Sequence, residues 1–399
     1  MPVAVALGND DSGNISAVSV FCYPTLKRIF SAIRLIFILM NKFFLFSLLF
    51  LQLACFGQQQ QPYKVIAYYT GPGDSIYKYP VHQLTHIIYS FLKLQNDTLC
   101  FHNDQQQRSV QQLVAMKKEN PGLKIMVSIG GWSGCAPCSD LFASAEHRSN
   151  FAKTTVALFK QYGIDGLDLD WEYPAIEGFP GHKYDSSDKN NFTALVKTLR
   201  KEMGDTLLLS FAAGGFVKYL EQSIDWNEVV PQVDFINLMT YDLVGGYSTV
   251  TGHHTPLADY RPGQESTQKC VNWLLDKKVP GDKLIIGAAI YARVWENVAD
   301  TGHGLYQSGK FLRGVSYNDF PAYFNDSSGF KYYWDKKAKA PYQYNQTKKL
   351  FATFDDERSI REKTKFIRSK KLGGIMFWQL MDDSPSAGLV DAISKGLSN

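Results

Sequence analysis

Four carboxylates fall within eight residues of the segment GIDGLDLDWEYP, at Asp165, Asp168, Asp170 and Glu172, and their neighbours are those of a buried strand. Alternate side chains on a strand share a face, so Asp168, Asp170 and Glu172 point one way while Leu167, Leu169 and Trp171 point the other. Burying three carboxyls side by side is costly unless they share protons or find donors. Close like charges raise at least one pKa, and a glutamic acid kept protonated near neutral pH can act as a general acid. The bland alternatives are a strand cap or a calcium or magnesium site.

Those carboxyls need a frame. Eight short β-branched or aliphatic runs read as strands: KVIAYY, HIIYSF, KIMVSIG, GLDLDWE, LLLSFAAG, FINLMTYD, LIIGAAIY and GGIMFWQL. Between several of them lie amphipathic stretches of helical length, such as NFAKTTVALFKQYG, KNNFTALVKTLRKEM and STQKCVNWLLDKKV. Eight alternating β/α units predict a TIM (β/α)8 barrel rather than a doubly wound sheet. A long stretch rich in Tyr, Asn, Asp, Ser and Lys breaks the rhythm between strand 7 and a helix starting near Asp356. It is read as a small α+β insertion domain over residues 294–350, standing on the barrel's C-terminal face. A barrel of this kind carries its site at the C-terminal strand ends, where Glu172 would emerge.

The chain has 399 residues, 45% hydrophobic and 14% aromatic, with a formal charge of +4. That balance, with no Lys/Arg cluster beyond short pairs such as Lys370 and Lys371, argues against a nucleic-acid partner. The segment MNKFFLFSLLFLQLACFGQQQQ has the order of a secretory signal: Lys42, an apolar run from Phe43 to Phe56, small residues, then a Gln tract. Residues 40–57 are read as that signal, cleaved after Gly57, and residues 1–39 as an upstream extension. The expected mature protein, residues 58–399, is secreted, monomeric and free of membrane; an uncleaved anchor over Ile29–Phe56 is the rival reading. An exported chain permits disulfides, and GCAPC puts Cys135 and Cys138 within reach of one loop staple, with a thioredoxin-type redox motif the weaker reading of C-x-x-C.

A raised-pKa glutamic acid suits glycoside hydrolysis. Carboxyls adjacent on one strand face approach a sugar from one side, however, so Asp170 is badly placed to attack the far face of the ring. A 2-acetamido group on the substrate can supply the nucleophile instead, through its carbonyl oxygen.

DGLDLDWE resembles the D-x-x-D-x-D-x-E signature of glycoside hydrolase family 18, and SIGG, Ser128 to Gly131, resembles its motif on strand 3. MTYD on strand 6, YAR on strand 7 and GGIMFWQL on strand 8 fall where that family has them, and the insertion resembles the family's chitinase insertion domain. The resemblance implies a retaining, substrate-assisted chitinase acting on chitin or chito-oligosaccharides, with no cofactor and no metal. Glu172 would be acid and then base, Asp170 would orient the acetamido group while sharing a proton with Asp168, and Tyr241 would hydrogen-bond the acetamido carbonyl. Substrate contacts would come from Tyr68, Phe91, Gly131, Trp132, Met239, Asp242, Tyr291, Arg293 and Trp378, with Trp378 flooring the subsite to the non-reducing side of the scissile bond, Trp132 an aglycone-side platform, and Asp165 and Ser128 in support. By residue type alone Tyr68, Phe91, Met239 and Trp378 read as barrel filling. Strand 1 departs from the family in having Gly71 and Pro72 where many members place a Trp, and Ala292 stands where a Gly is usual. Two alternatives share the signature or the barrel: an endo-β-N-acetylglucosaminidase acting on glycoprotein glycans, and a non-hydrolytic lectin, which typically lacks the acid that is present here as Glu172.

Overall fold

Residues 63–398 are described by the computed structural model, and the readings made for residues 1–39 and 40–57 lie outside them. The first strands are β1 (Lys64–Tyr69), β2 (His86–Gln95), β3 (Thr98–Cys100), β4 (Lys124–Gly130), β5 (Gly166–Asp170), β6 (Leu208–Gly214), β7 (Phe235–Met239) and β8 (Leu284–Ala289). After them come β9 (Tyr291–Glu296), β10 (Lys310–Ser316), β11 (Lys331–Asp335), β12 (Ala340–Asn345), β13 (Leu350–Thr353) and β14 (Gly374–Trp378). Parallel pairing runs β1, β2, β4, β5, β6, β7, β8, β14 and back to β1, which closes an eight-stranded TIM barrel. The short β3 adds an antiparallel edge to β2.

Alternation along each strand builds two cores. Val65, Ala67 and Tyr69 of β1 join the layer beneath the helices, whereas Ile66 and Tyr68 fill the barrel interior. Leu167, Leu169 and Trp171 likewise face the helices, as the period-two pattern predicts. Each fully buried aliphatic side chain contributes about 1.5–3 kcal/mol. Local signals set the entry to β5: Ser144 caps the helix Ala145–Tyr162, and Gly163 at φ 71° ends it in the left-handed conformation that glycine accepts without strain.

β9 to β13 form a separate antiparallel sheet in the order β10-β9-β13-β12-β11. This sheet runs from Tyr291 to Thr353, so the insertion extends beyond the 294–350 expected from composition. Tyr291 and Arg293, read as barrel strand 7, are in fact on β9; barrel strand 7 is β8 and ends at Ala289. The chain leaves the barrel at Ile290, whose N–H donates to the Trp378 carbonyl at 2.9 Å. LIIGAAIYA is buried on both sides of that break, so hydrophobicity does not mark it.

Where the chain returns, Asp355 and Lys363 are both fully buried and pair at 2.6 Å. Lys363 Nζ also donates to Thr255 Oγ1 and to the Gly287 carbonyl, and Asp355 accepts from the Ala289 N–H and from Ser359 Oγ. The helix Glu357–Lys370 is thereby tied to β8 and to the loop after β7. Its first turn carries a capping box between Asp356 and Ser359. Among the described residues, no helix is long and apolar enough to cross a membrane.

Candidate active site

Register across the barrel stacks Ser128, Asp168 and Ser210 at one level of β4, β5 and β6. Asp168 is fully buried there and accepts from Tyr68 Oη at 2.9 Å, Ser128 Oγ at 2.9 Å, Ser210 Oγ at 2.6 Å and Asn237 Nδ2 at 3.1 Å. Burial raises its pKa, and those donors pull against the rise. Tyr68, Ser128 and Asp168 therefore form the layer beneath the site. Asp165 lies at the other end of the strand, bridging Lys117 Nζ at 2.7 Å and the Ile125 N–H at 2.7 Å, a role confined to the frame.

Above this layer opens a cleft of about 1220 Å³. Asp170, Glu172, Tyr241, Asp242, Met239, Phe91, Gly131, Trp132, Tyr291, Arg293 and Trp378 all line it. Asp170 is buried, and its Oδ1 has no hydrogen-bond partner. Burial, then Glu172 and Asp168, push its pKa well above the usual carboxylate range. The oxygens of Asp168 accept from the four side chains around it, and no direct hydrogen bond joins Asp168 to Asp170.

Glu172 follows the end of β5 and is partly open to the cleft. Burial pushes its pKa up to about 7, with the neighbouring Tyr173 hydroxyl pulling it down and Asp242 adding to the rise. Asp242 is the opposite case. Burial works against its charge, yet His254 and Arg293 hold it well below the ordinary range. Arg293 grips it with two bonds, Nε to Oδ1 at 2.7 Å and Nη2 to Oδ2 at 2.5 Å. The guanidinium itself lies 4.8 Å from the Tyr291 ring centre.

Tyr241 is packed edge-on against Tyr291, and among the described residues its hydroxyl meets only Met376 Sδ, at 3.8 Å. Burial first, then Tyr291 and the nearby carboxylates, raise its pKa, so the hydroxyl stays a proton donor with no strong protein acceptor. The Trp378 ring is stacked with Phe91 at 5.7 Å and tilted against Tyr68 at 5.8 Å, and Met239 joins the same interior group. Gly131 has φ 78°, and a Cβ there would stand 2.5 Å from the Phe91 ring, so only glycine fits. Cis peptide bonds at Ser90–Phe91, Glu172–Tyr173 and Trp378–Gln379 adjoin cleft residues.

Some participants were missed from sequence. Ser210 and Asn237 complete the cradle of Asp168, and the signal available was a polar residue inside an apolar strand run, as in FINLM. Tyr173, Phe216, Tyr247 and Phe311 also line the cleft; they sit on loops and on the insertion, where no periodicity points to them.

The sequence model described as "Glycosyl hydrolases family 18" matches residues 64–383. Chitinase A1 of Niallia circulans is 34% identical over 300 residues, which is 69% of this chain but only 43% of that protein's length. Chitotriosidase-1 of Mus musculus is 31% identical over 320 residues, covering 75% of this chain and 67% of its own. Among solved structures, a glycoside hydrolase family 18 N-acetylglucosaminidase from Paenibacillus barengoltzii superposes with a TM-score of 0.75 at 33% identity, over 84% of this chain and 100% of that one. The Group IV chitinase of Ostrinia furnacalis in complex with allosamidin gives 0.76 at 27% identity, over 84% and 99%. With a buried acid at the mouth of a TIM barrel and a family match along nearly the whole described chain, this protein is a glycoside hydrolase and belongs to family 18.

Proposed function

We propose that the protein is a chitinase that hydrolyses β-1,4-linked N-acetylglucosamine chains with retention, the substrate's own acetamido group acting as nucleophile. One observation carries the reading. The cleft has two carboxyls in position for chemistry, Asp170 and Glu172, at one strand end, while Asp242 is neutralised by Arg293 and the exposed Glu177 follows Glu172 in the same loop. No carboxylate is thus left to attack from the opposite side of a sugar held over Trp378.

Glu172, protonated near neutral pH, gives its proton to the glycosidic oxygen as the bond to the anomeric carbon breaks. The acetamido carbonyl oxygen closes on that carbon, forming an oxazolinium ion. Asp170, with its unpartnered oxygen, takes the acetamido N–H, and the Tyr241 hydroxyl donates to the acetamido carbonyl oxygen. Glu172, now a carboxylate, takes a proton from the water that opens the ring, which restores both the acid and the original configuration. No step draws on a metal or cofactor. Residues 40–57 would export the chain to meet an extracellular polymer.

The test is to incubate the purified protein and its Glu172→Gln form with chitohexaose and follow product length and anomeric configuration. β-Anomeric products from the parent alone support the proposal. α-Anomeric products, or equal turnover by both forms, defeat it. Intact hexamer bound by both forms would point to the lectin. The 33% identity to an N-acetylglucosaminidase makes release of single sugars the specific rival outcome to short oligomers.

A further inference from the structure

We infer that the Cys135–Cys138 disulfide is a positioning device for the aglycone wall of the cleft: by pinning the loop that carries Trp132, it sets affinity for long chains rather than the rate of the chemical step. The inference rests on reading the cleft as a chito-oligosaccharide site.

The wall is built from Gly130, Gly131, Trp132, Ser133, Gly134 and Pro137, all of which line the cleft. Gly130 and Gly131 take left-handed φ values of 100° and 78°. A Cβ on Gly130 would lie 2.0 Å from the Asp170 carbonyl oxygen, and one on Gly134 would lie 2.0 Å from that of Gly130. The loop therefore folds tightly on itself and rests on the backbone of Asp170, to which the Gly131 N–H donates at 2.8 Å. Glycine at these three positions makes the path possible and gives it little stiffness.

Other restraints on the loop are few. Gly134 N–H donates to the Gly131 carbonyl and Cys138 N–H to that of Cys135, each at 3.0 Å. Trp132 is 37% exposed and is flanked by the rings of Tyr173, Phe179 and Tyr247 at 5.9 to 6.3 Å, without a stacked partner. The disulfide is the covalent closure, and its two sulfurs are buried in the apolar layer beneath the helices. A large aromatic arm on glycines is thus hinged from a rigid, dry anchor. The ring it closes is short, so it removes little entropy from the unfolded chain, and its effect is local rather than global. Neither cysteine lines the cleft.

The experiment compares the full chain with its Cys135→Ala/Cys138→Ala double variant on two substrates. Chitohexaose reaches across the Trp132 wall, and β-chitobiosyl fluoride has a leaving group too small to do so. The expected result is a KM for hexaose raised about fivefold or more with kcat nearly kept, and kcat/KM for the fluoride within about twofold of the parent. Dithiothreitol should give the parent the same split. In a Trp132→Ala background the cysteine changes should add nothing. An unchanged hexaose KM overturns the inference, and so does an equal loss on both substrates, which would mark a general loosening. If the parent cleaves neither substrate, the functional reading fails and the tether is judged by hydrogen exchange alone. Amides 131–136 and 138 should then exchange faster in the double variant with the rest of the barrel unchanged, and unaltered exchange there overturns the tether.

Discussion

Glu172 and Asp242 are two carboxyls in one cleft with opposite fates, and the difference is their partners. Glu172 has only Tyr173 to favour its charge, so burial holds it protonated up to about pH 7. Asp242 has Arg293 in a two-pronged grip and stays ionised. As the proton donor, Glu172 is active below its pKa, so kcat/KM should fall as pH rises through about 7, measurable in a pH–rate profile on chitohexaose. Glu172→Gln should cost on the order of 10²–10⁴ in kcat while substrate binding survives, read by steady-state kinetics and calorimetry. Tyr241→Phe removes a donor whose hydroxyl has only a sulfur to meet among the described residues. It should lower kcat on the order of a hundredfold with KM little changed, and a normal kcat would return the nucleophile to a protein side chain.

Among elements, the most consequential join is that between the insertion and the barrel. Five strands leave at Ile290 and return at Asp355, and the return is anchored by the buried Lys363 ammonium. Desolvating that pair is expensive, and what offsets the cost is that Nζ donates to three oxygens: Asp355, Thr255 and the Gly287 carbonyl. Thr255 in turn donates to the carbonyl of Thr240, the residue before Tyr241, so the anchor also braces the catalytic loop. Lys363→Met leaves the Asp355 carboxylate buried without its counter-charge. We expect about 3–5 kcal/mol of destabilisation by urea unfolding, far more than the loss of an exposed pair such as Lys365–Glu362 at about 0–1 kcal/mol.

For the molecule as a whole, the site is maintained against stability. The Glu172 pKa is raised in the folded state to about 7 from the ordinary 4.5, so between those values the folded protein holds a proton that the unfolded chain has lost. Stability from this group is therefore full below about pH 4 and falls as pH rises to about 7, above which the deficit is constant. Glu172→Gln should be nearly neutral at about pH 4 and stabilising by about 3 kcal/mol at about pH 8, checked by thermal unfolding at the two pH values. Much of this was legible in the chain itself. Period-two alternation around Asp168, Asp170 and Glu172 follows from strand geometry, eight apolar runs separated by helical stretches imply a closed parallel barrel, and together they put Glu172 at its mouth. What sequence did not yield was pairing between distant segments. The cradle of Ser210 and Asn237 under Asp168, the Arg293–Asp242 grip, and the break at Ile290 that moves Tyr291 and Arg293 onto the insertion all depend on register and on chain direction after a loop. Local sequence set which residues face inward, because side-chain direction is a property of one strand; which inward residues meet was decided only when the barrel closed, because contact is a property of several.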